Sequence, residues 1–280
     1  MSIHKLNLRP KARARSLGCC TLLLAGTAAL PAWADASNED LQAQLANPVA
    51  VLVSVPVVTA VDQNIGRHEG GSRVTVTVQP VLPFRLNADW NLVTRTLVPL
   101  VSQDDVVPGS GRQQGLGDVS STFFFTPARS VKGGWTWGAG PVLLLPTGTD
   151  ALLTARKLGL GPSAVMLKQD AGLTYGALVS HVWSVAGSES RPDLNTSFLQ
   201  PFVSKRFGRY TASLQTEATY DWTGRAWTVP LGMGISTLTT WGGQRVNLSA
   251  MLRYWATGPD AAPKGAALRL TAAFVFPPSR

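Results

Sequence analysis

Arg73, Arg95, Arg245, Arg253 and Arg269, set against Asp118, Glu217 and Asp221, are the residues whose types and positions most suggest chemistry. By alternation each falls on the polar face of a strand-like segment. Arg95, Glu217, Arg253 and Arg269 also lie well inside their segments, away from the ends. On the wall of a water-filled passage, an arginine excess favours anionic or polar solutes. The same residues could instead form an ion-pair cluster that ties the wall together and fills the passage, because buried charges are normally paired. Glu217 is the one mid-strand acid expected at this depth. It cannot neutralise three arginines, so residual positive potential is expected.

Other constellations are weaker. Ser180, His181 and Asp193 are the residue types of a nucleophilic hydrolase. However, neighbours on a strand face opposite sides, so Ser180 and His181 cannot pair directly. Gly109, Gly111, Gly115 and Gly117 imitate a phosphate-binding loop, but no lysine follows and the next segment reads as a strand, not a helix. His68 and His181, far apart and without cysteine partners, make no metal site. These residues give no reason to expect an enzyme, a cofactor, a metal or a nucleic-acid partner.

The segments that must position the arginines alternate strictly. From Tyr210 to Trp222, Ala212, Leu214 and Thr216 fall on one side and Ser213, Gln215 and Glu217 on the other. The pattern recurs in Trp227–Ser236, Arg245–Tyr254 and Leu268–Phe276. Period two is the mark of a β-strand with one apolar face. Segments of about 10 residues suffice to cross a bilayer at a tilt of roughly 45°. A soluble sandwich would bury the apolar face, whereas a membrane barrel turns it to lipid and keeps the polar face inside.

Connection lengths favour the barrel. Turns are expected at 87–89, 127–134, 170–172, 207–209 and 240–244, with mostly longer loops between them at 61–71, 102–116, 147–157, 186–194 and 258–265; only 223–226 is short. Short periplasmic turns and long outer loops are the habit of outer-membrane barrels. The expectation is all-β: one antiparallel transmembrane barrel of about 12 strands, between 10 and 14, over 49–276. Aromatic residues gather at segment ends as two interfacial girdles. Trp90, Trp135, Trp137, Tyr175, Tyr210 and Trp241 mark one end, with Phe276 closing the last strand. Trp183, Trp222, Trp227 and Trp255 mark the other.

Residues 1–34 have a basic start, an apolar run from Leu17 to Leu30 and Ala32-Trp33-Ala34, the pattern of a cleaved secretory signal peptide. Its removal takes five positive charges and lowers the formal net charge from +9 to +4, which weakens a nucleic-acid reading. It also removes Cys19 and Cys20, so the exported chain carries no thiol chemistry. Residues 35–48 are expected to be a periplasmic segment with a short helix from an Asn38 cap to Ala46, and 277–280 a tail.

Longer blocks carry a resemblance. They include QPVLPFRLNADWNLVTRTLVPL (79–100), GLGDVSSTFFFTP (115–127), WTWGAGPVLLLPTGTD (135–150), TYGALVSHVWSVAG (174–187) and YDWTGRAWTVP (220–230). Together they resemble the outer-membrane family labelled "MetA-pathway of phenol degradation". The resemblance implies a bacterial outer-membrane barrel that helps aromatic or other small compounds cross. It brings no catalytic residues. Outer-membrane lipids, the barrel-assembly machinery and a small solute are the partners it implies. A barrel with a plugged lumen and an outer-membrane hydrolase remain the alternatives.

Overall fold

A computed structural model describes residues 37–131 and 133–276; the expected signal peptide and the 277–280 tail lie outside them. The described residues form one short helix, α1 (Asn38–Leu45), and fifteen strand segments. These are β1 (Val53–Ile65), β2 (Gly71–Val78), β3 (Val81–Arg85), β4 (Trp90–Asp104), β5 (Arg112–Leu116), β6 (Val119–Pro127), β7 (Trp135–Leu145) and β8 (Lys157–Asp170). They continue with β9 (Leu173–Gly187), β10 (Asn195–Phe207), β11 (Tyr210–Thr216), β12 (Ala218–Asp221), β13 (Ala226–Trp241), β14 (Gln244–Thr257) and β15 (Gly265–Phe276). The pairs β2/β3, β5/β6 and β11/β12 are single staves with a local break, so the wall has twelve staves, as alternation predicts.

Each stave is antiparallel to its neighbours. The ring closes where β1 pairs with β15, from Val53 opposite Phe276 to Val61 opposite Leu268. Closure leaves no strand edge, the condition for a sheet to survive in hydrocarbon. Outward positions carry Leu214, Leu231, Met233, Ile235, Leu252 and Leu270, all exposed. In a soluble sandwich this face would be the core. Here it is the lipid-facing surface, and the polar face encloses the bore. Among the described residues no helix is long and apolar enough to cross a membrane.

Several boundaries differ from expectation. Ser37, not Asn38, caps α1: its hydroxyl oxygen accepts from the Asp40 amide at 3.1 Å. The first strand starts at Val53, and the Val-rich run before it is a strap inside the barrel. Strands β1, β2, β4 and β5 run through much of the expected loops 61–71 and 102–116. The ladder there is held by backbone bonds and the buried Gln103–Gln113 contact (3.1 Å), so it outlasts the hydrophobic alternation.

Two adjacent staves share one irregularity. Gly140-Pro141 on β7 lies beside Gly161-Pro162 on β8, with Pro141 opposite Pro162. The β6–β7 pairing skips between Thr122 and Phe125, and the β8–β9 pairing skips between Leu160 and Ser163. Proline offers no amide to either outer neighbour. The carbonyls of Phe123 and His181 instead close onto Gly140 and Gly161, where any β-carbon would collide with them. Weak Cα–H···O contacts are the replacement that only glycine permits here.

Candidate functional site

The inward face divides into a charged half and an apolar half. On β14, Arg253 and Trp255 share a face; on β15, Arg269 faces inward, opposite Ala60 and Met251. Glu217 sits at the break between β11 and β12 and accepts both ends of Arg269, at 2.7 and 2.6 Å. Arg253, 8 % exposed, lies 3.7 Å from Glu217 and 3.8 Å from Asp62. Asp62 also accepts from the Trp255 indole at 2.9 Å, and the Arg253 guanidinium stacks 4.6 Å from the Trp255 ring. Gly232 lies opposite Arg253, and a side chain there would strike the Met251 sulfur. The small residue therefore makes room for this cluster.

Arg73 and Arg95 extend the cluster with neutral partners. Arg73 pairs across the ladder with Asp62 but donates its side-chain bond to Gln103 (2.9 Å). Arg95 donates to Gln79 at 3.4 Å. Glutamine oxygens satisfy hydrogen-bond demand without cancelling charge. Four arginines thus face two carboxylates, and Arg269 Nε is buried with no protein partner.

Four residues fall elsewhere than the sequence reading placed them. Asp118 accepts from the amides of Gly148 (3.0 Å) and Ala155 (2.7 Å), so it anchors the 146–156 loop and stands apart from the arginine cluster. Arg245 reaches Asn38 of α1 at the mouth. Asp221 is exposed and accepts from the Thr223 amide at 2.9 Å. Trp255 leaves the girdle and points inward, where Asp62 satisfies its indole. Asp62 falls within the expected 61–71 loop, yet β1 carries it, and its place two residues after inward Ala60 is the signal that finds it.

The apolar half lies on β4, β6, β8 and β9. Val93, Phe124, Val165, Leu167 and Leu178 form a buried cluster, and Val49 of the strap completes it. Helix α1 holds the strap at the mouth. Gln42 donates to the Arg209 carbonyl (2.9 Å), Gln169 to the Ala43 carbonyl (2.8 Å), and Glu39 pairs with Arg206. Near the opposite rim Lys157, 7 % exposed, donates to Asp193 at 2.7 Å. Hydrogen bonds from Lys157 and Ser184, with the lysine charge, hold the Asp193 carboxyl below the usual carboxylate range.

The outer surface carries the girdle. Trp90, Tyr210, Trp222, Trp227 and Trp241 are exposed, with Trp241 at 72 %, while Trp135 and Phe276 are half-buried. His181 also faces outward, bonded through Nδ1 to Ser197 (2.8 Å), whose oxygen accepts the Trp222 indole (2.9 Å). Ser180 takes the opposite side of β9. Asp193 is engaged by Lys157 and Ser184, so Ser180, His181 and Asp193 assemble no triad. Among the described residues no cluster suited to a metal occurs.

No family model and no curated protein matches the sequence. Solved structures do match the fold. An outer membrane channel from Pseudomonas putida F1 superposes with a TM-score of 0.63 at 14 % identity, over 81 % of this chain and 97 % of that one. Outer membrane phospholipase A from Escherichia coli gives a TM-score of 0.49 at 12 % identity, over 86 % and 99 %. The NanC porin gives 0.46 at 10 % identity, over 80 % and 99 %. The Pseudomonas match therefore shows the fold, that of an outer-membrane β-barrel.

Proposed function

We propose that this protein is an outer-membrane channel for small solutes, with a preference for anions. The observation that carries the reading is the arginine surplus in the bore: Arg73 and Arg95 hydrogen-bond to amides, while Asp62 and Glu217 are shared among the rest. A confined positive potential attracts anions and repels cations, most strongly at low ionic strength. The channel likeness of the Pseudomonas barrel and the resemblance to the phenol-degradation family support the same reading. Reversal potentials across a salt gradient in planar bilayers test it. The expected result is a modest anion preference that grows as salt falls and weakens in Arg253→Ala. A cation-selective wild type, or one unmoved by the substitution, would remove these residues from the solute path.

The Val49 cluster favours a second reading, a barrel closed by its own strap. A purified, folded barrel without conductance would select it.

A further inference from the structure

An apolar groove of about 510 Å³ crosses the outside of the wall near the end that carries the short turns. One row of ladder partners builds it: Val57, Ala272, Leu248, Thr237 and Tyr210, drawn from five consecutive staves. The next row contributes Leu270, Ala250 and Ile235. Ala250 and Ala272 leave the depression, and the larger side chains wall it. Its surface is almost wholly apolar, and a cation adjoins it at the Tyr210 end. There the Arg209 guanidinium lies 5.0 Å from the centre of the Tyr210 ring. The Arg209 carbonyl is fixed by Gln42 (2.9 Å) and by Thr237 (3.1 Å), itself a lining residue. Arg209 is exposed and takes no part in the ion pairs found among the described residues.

We propose that this groove binds one glycerophospholipid of the periplasmic leaflet, an acyl chain lying along Ala250 and Ala272 and the phosphate meeting Arg209. A narrow apolar concavity with a cation at one end matches an amphiphile with one charged head. A second barrel would present a broad convex face and would have no use for the terminal arginine. Short turns mark the periplasmic side, so the arginine stands at the phosphate level of that leaflet. Tyr210 sits at the same interface, as amphipathic rings do.

Native mass spectrometry of the detergent-purified barrel, offered equal amounts of phosphatidylglycerol, phosphatidylethanolamine and lipid A, tests the site. One phospholipid should persist at collision energies that strip the rest. Arg209→Ala should reduce the retained fraction about fivefold, with Arg209→Lys restoring much of it. Ala250→Phe with Ala272→Phe should reduce it about tenfold or more by filling the groove, with folding verified by heat-modifiable mobility. Equal retention by wild type and Arg209→Ala overturns the proposal, and that variant lies in a turn, outside the wall. Preference for lipid A, or retention of a second protein chain in place of lipid, overturns it as well.

Discussion

Along β14 and β15 the inward positions carry Arg253, Trp255 and Arg269, while along β6, β8 and β9 they carry Phe124, Val165, Leu167 and Leu178. Both halves hang on the same antiparallel ladder. The charged half is specified by geometry: a carboxylate must sit where two guanidiniums converge. The apolar half is specified by volume, and the barrel wall alone does not supply enough of it. Val49 of the strap fills the remainder. One half is therefore held by matched charges and the other by close apolar packing.

Removing Glu217 breaks the comparison most severely. Glu217→Ala leaves Arg269 with no ion-pair partner and Arg253 with Asp62 alone, and should cost about 3–5 kcal/mol in denaturant unfolding of the reconstituted barrel. Surviving channels should become more anion-selective. Wild-type stability in this variant would show that solvent already screens the cluster.

Phe124→Ala should cost about 3 kcal/mol through the cavity it leaves. Reversal potential should not move, because no charge changes. A shift in selectivity as large as that of Glu217→Ala would erase the distinction between the halves.

A smaller effect is expected at the strap. Val49→Ser should lower stability by about 1.5 kcal/mol and raise single-channel conductance, since it loosens the filler without touching the wall. Unchanged conductance would place the solute path away from the apolar half.

The buried cation of the apolar half gives the smallest effect. Lys157 fixes Asp193, whose carboxyl titrates below its ordinary range. The bond contributes above the ordinary carboxylate value and is lost only as pH falls through the lowered one. Hydrogen exchange in 188–194 should therefore quicken only under strong acidification. Loosening at or above the ordinary value would contradict the pairing.

The charged half was largely legible in the sequence. Period two survives in β11 to β15, so the facing of Glu217, Arg253 and Arg269 followed from counting. The same count sets Trp255 on the Arg253 face, but its nearness to a strand end resembled a girdle position and hid this. Asp62 was obscured for a different reason: polar residues beyond the lipid zone look like loop, although the ladder carries β1 to Ile65. The apolar half was not legible. Val49 and Ala50 have the composition of a strand, and nothing local records that their partners lie on β4, β6, β8 and β9. That contact depends on a bore of the right width, which is a property of the whole ring.

The β1–β15 seam has a consequence for how the molecule comes into being. Its nine ladder pairs, Val53 to Val61 against Phe276 to Leu268, join the least local partners in the wall. Every other seam joins staves that follow one another in the chain. Eleven hairpin-like steps can thus accumulate progressively, while closure must bring the first stave to the last and lose the corresponding chain entropy before any of its bonds form. Until then two rows of amides and carbonyls face hydrocarbon unpaired. Ring closure is accordingly the expected slow step of biogenesis, and a chain stopped before Gly265 should never acquire the heat-resistant mobility of the finished barrel.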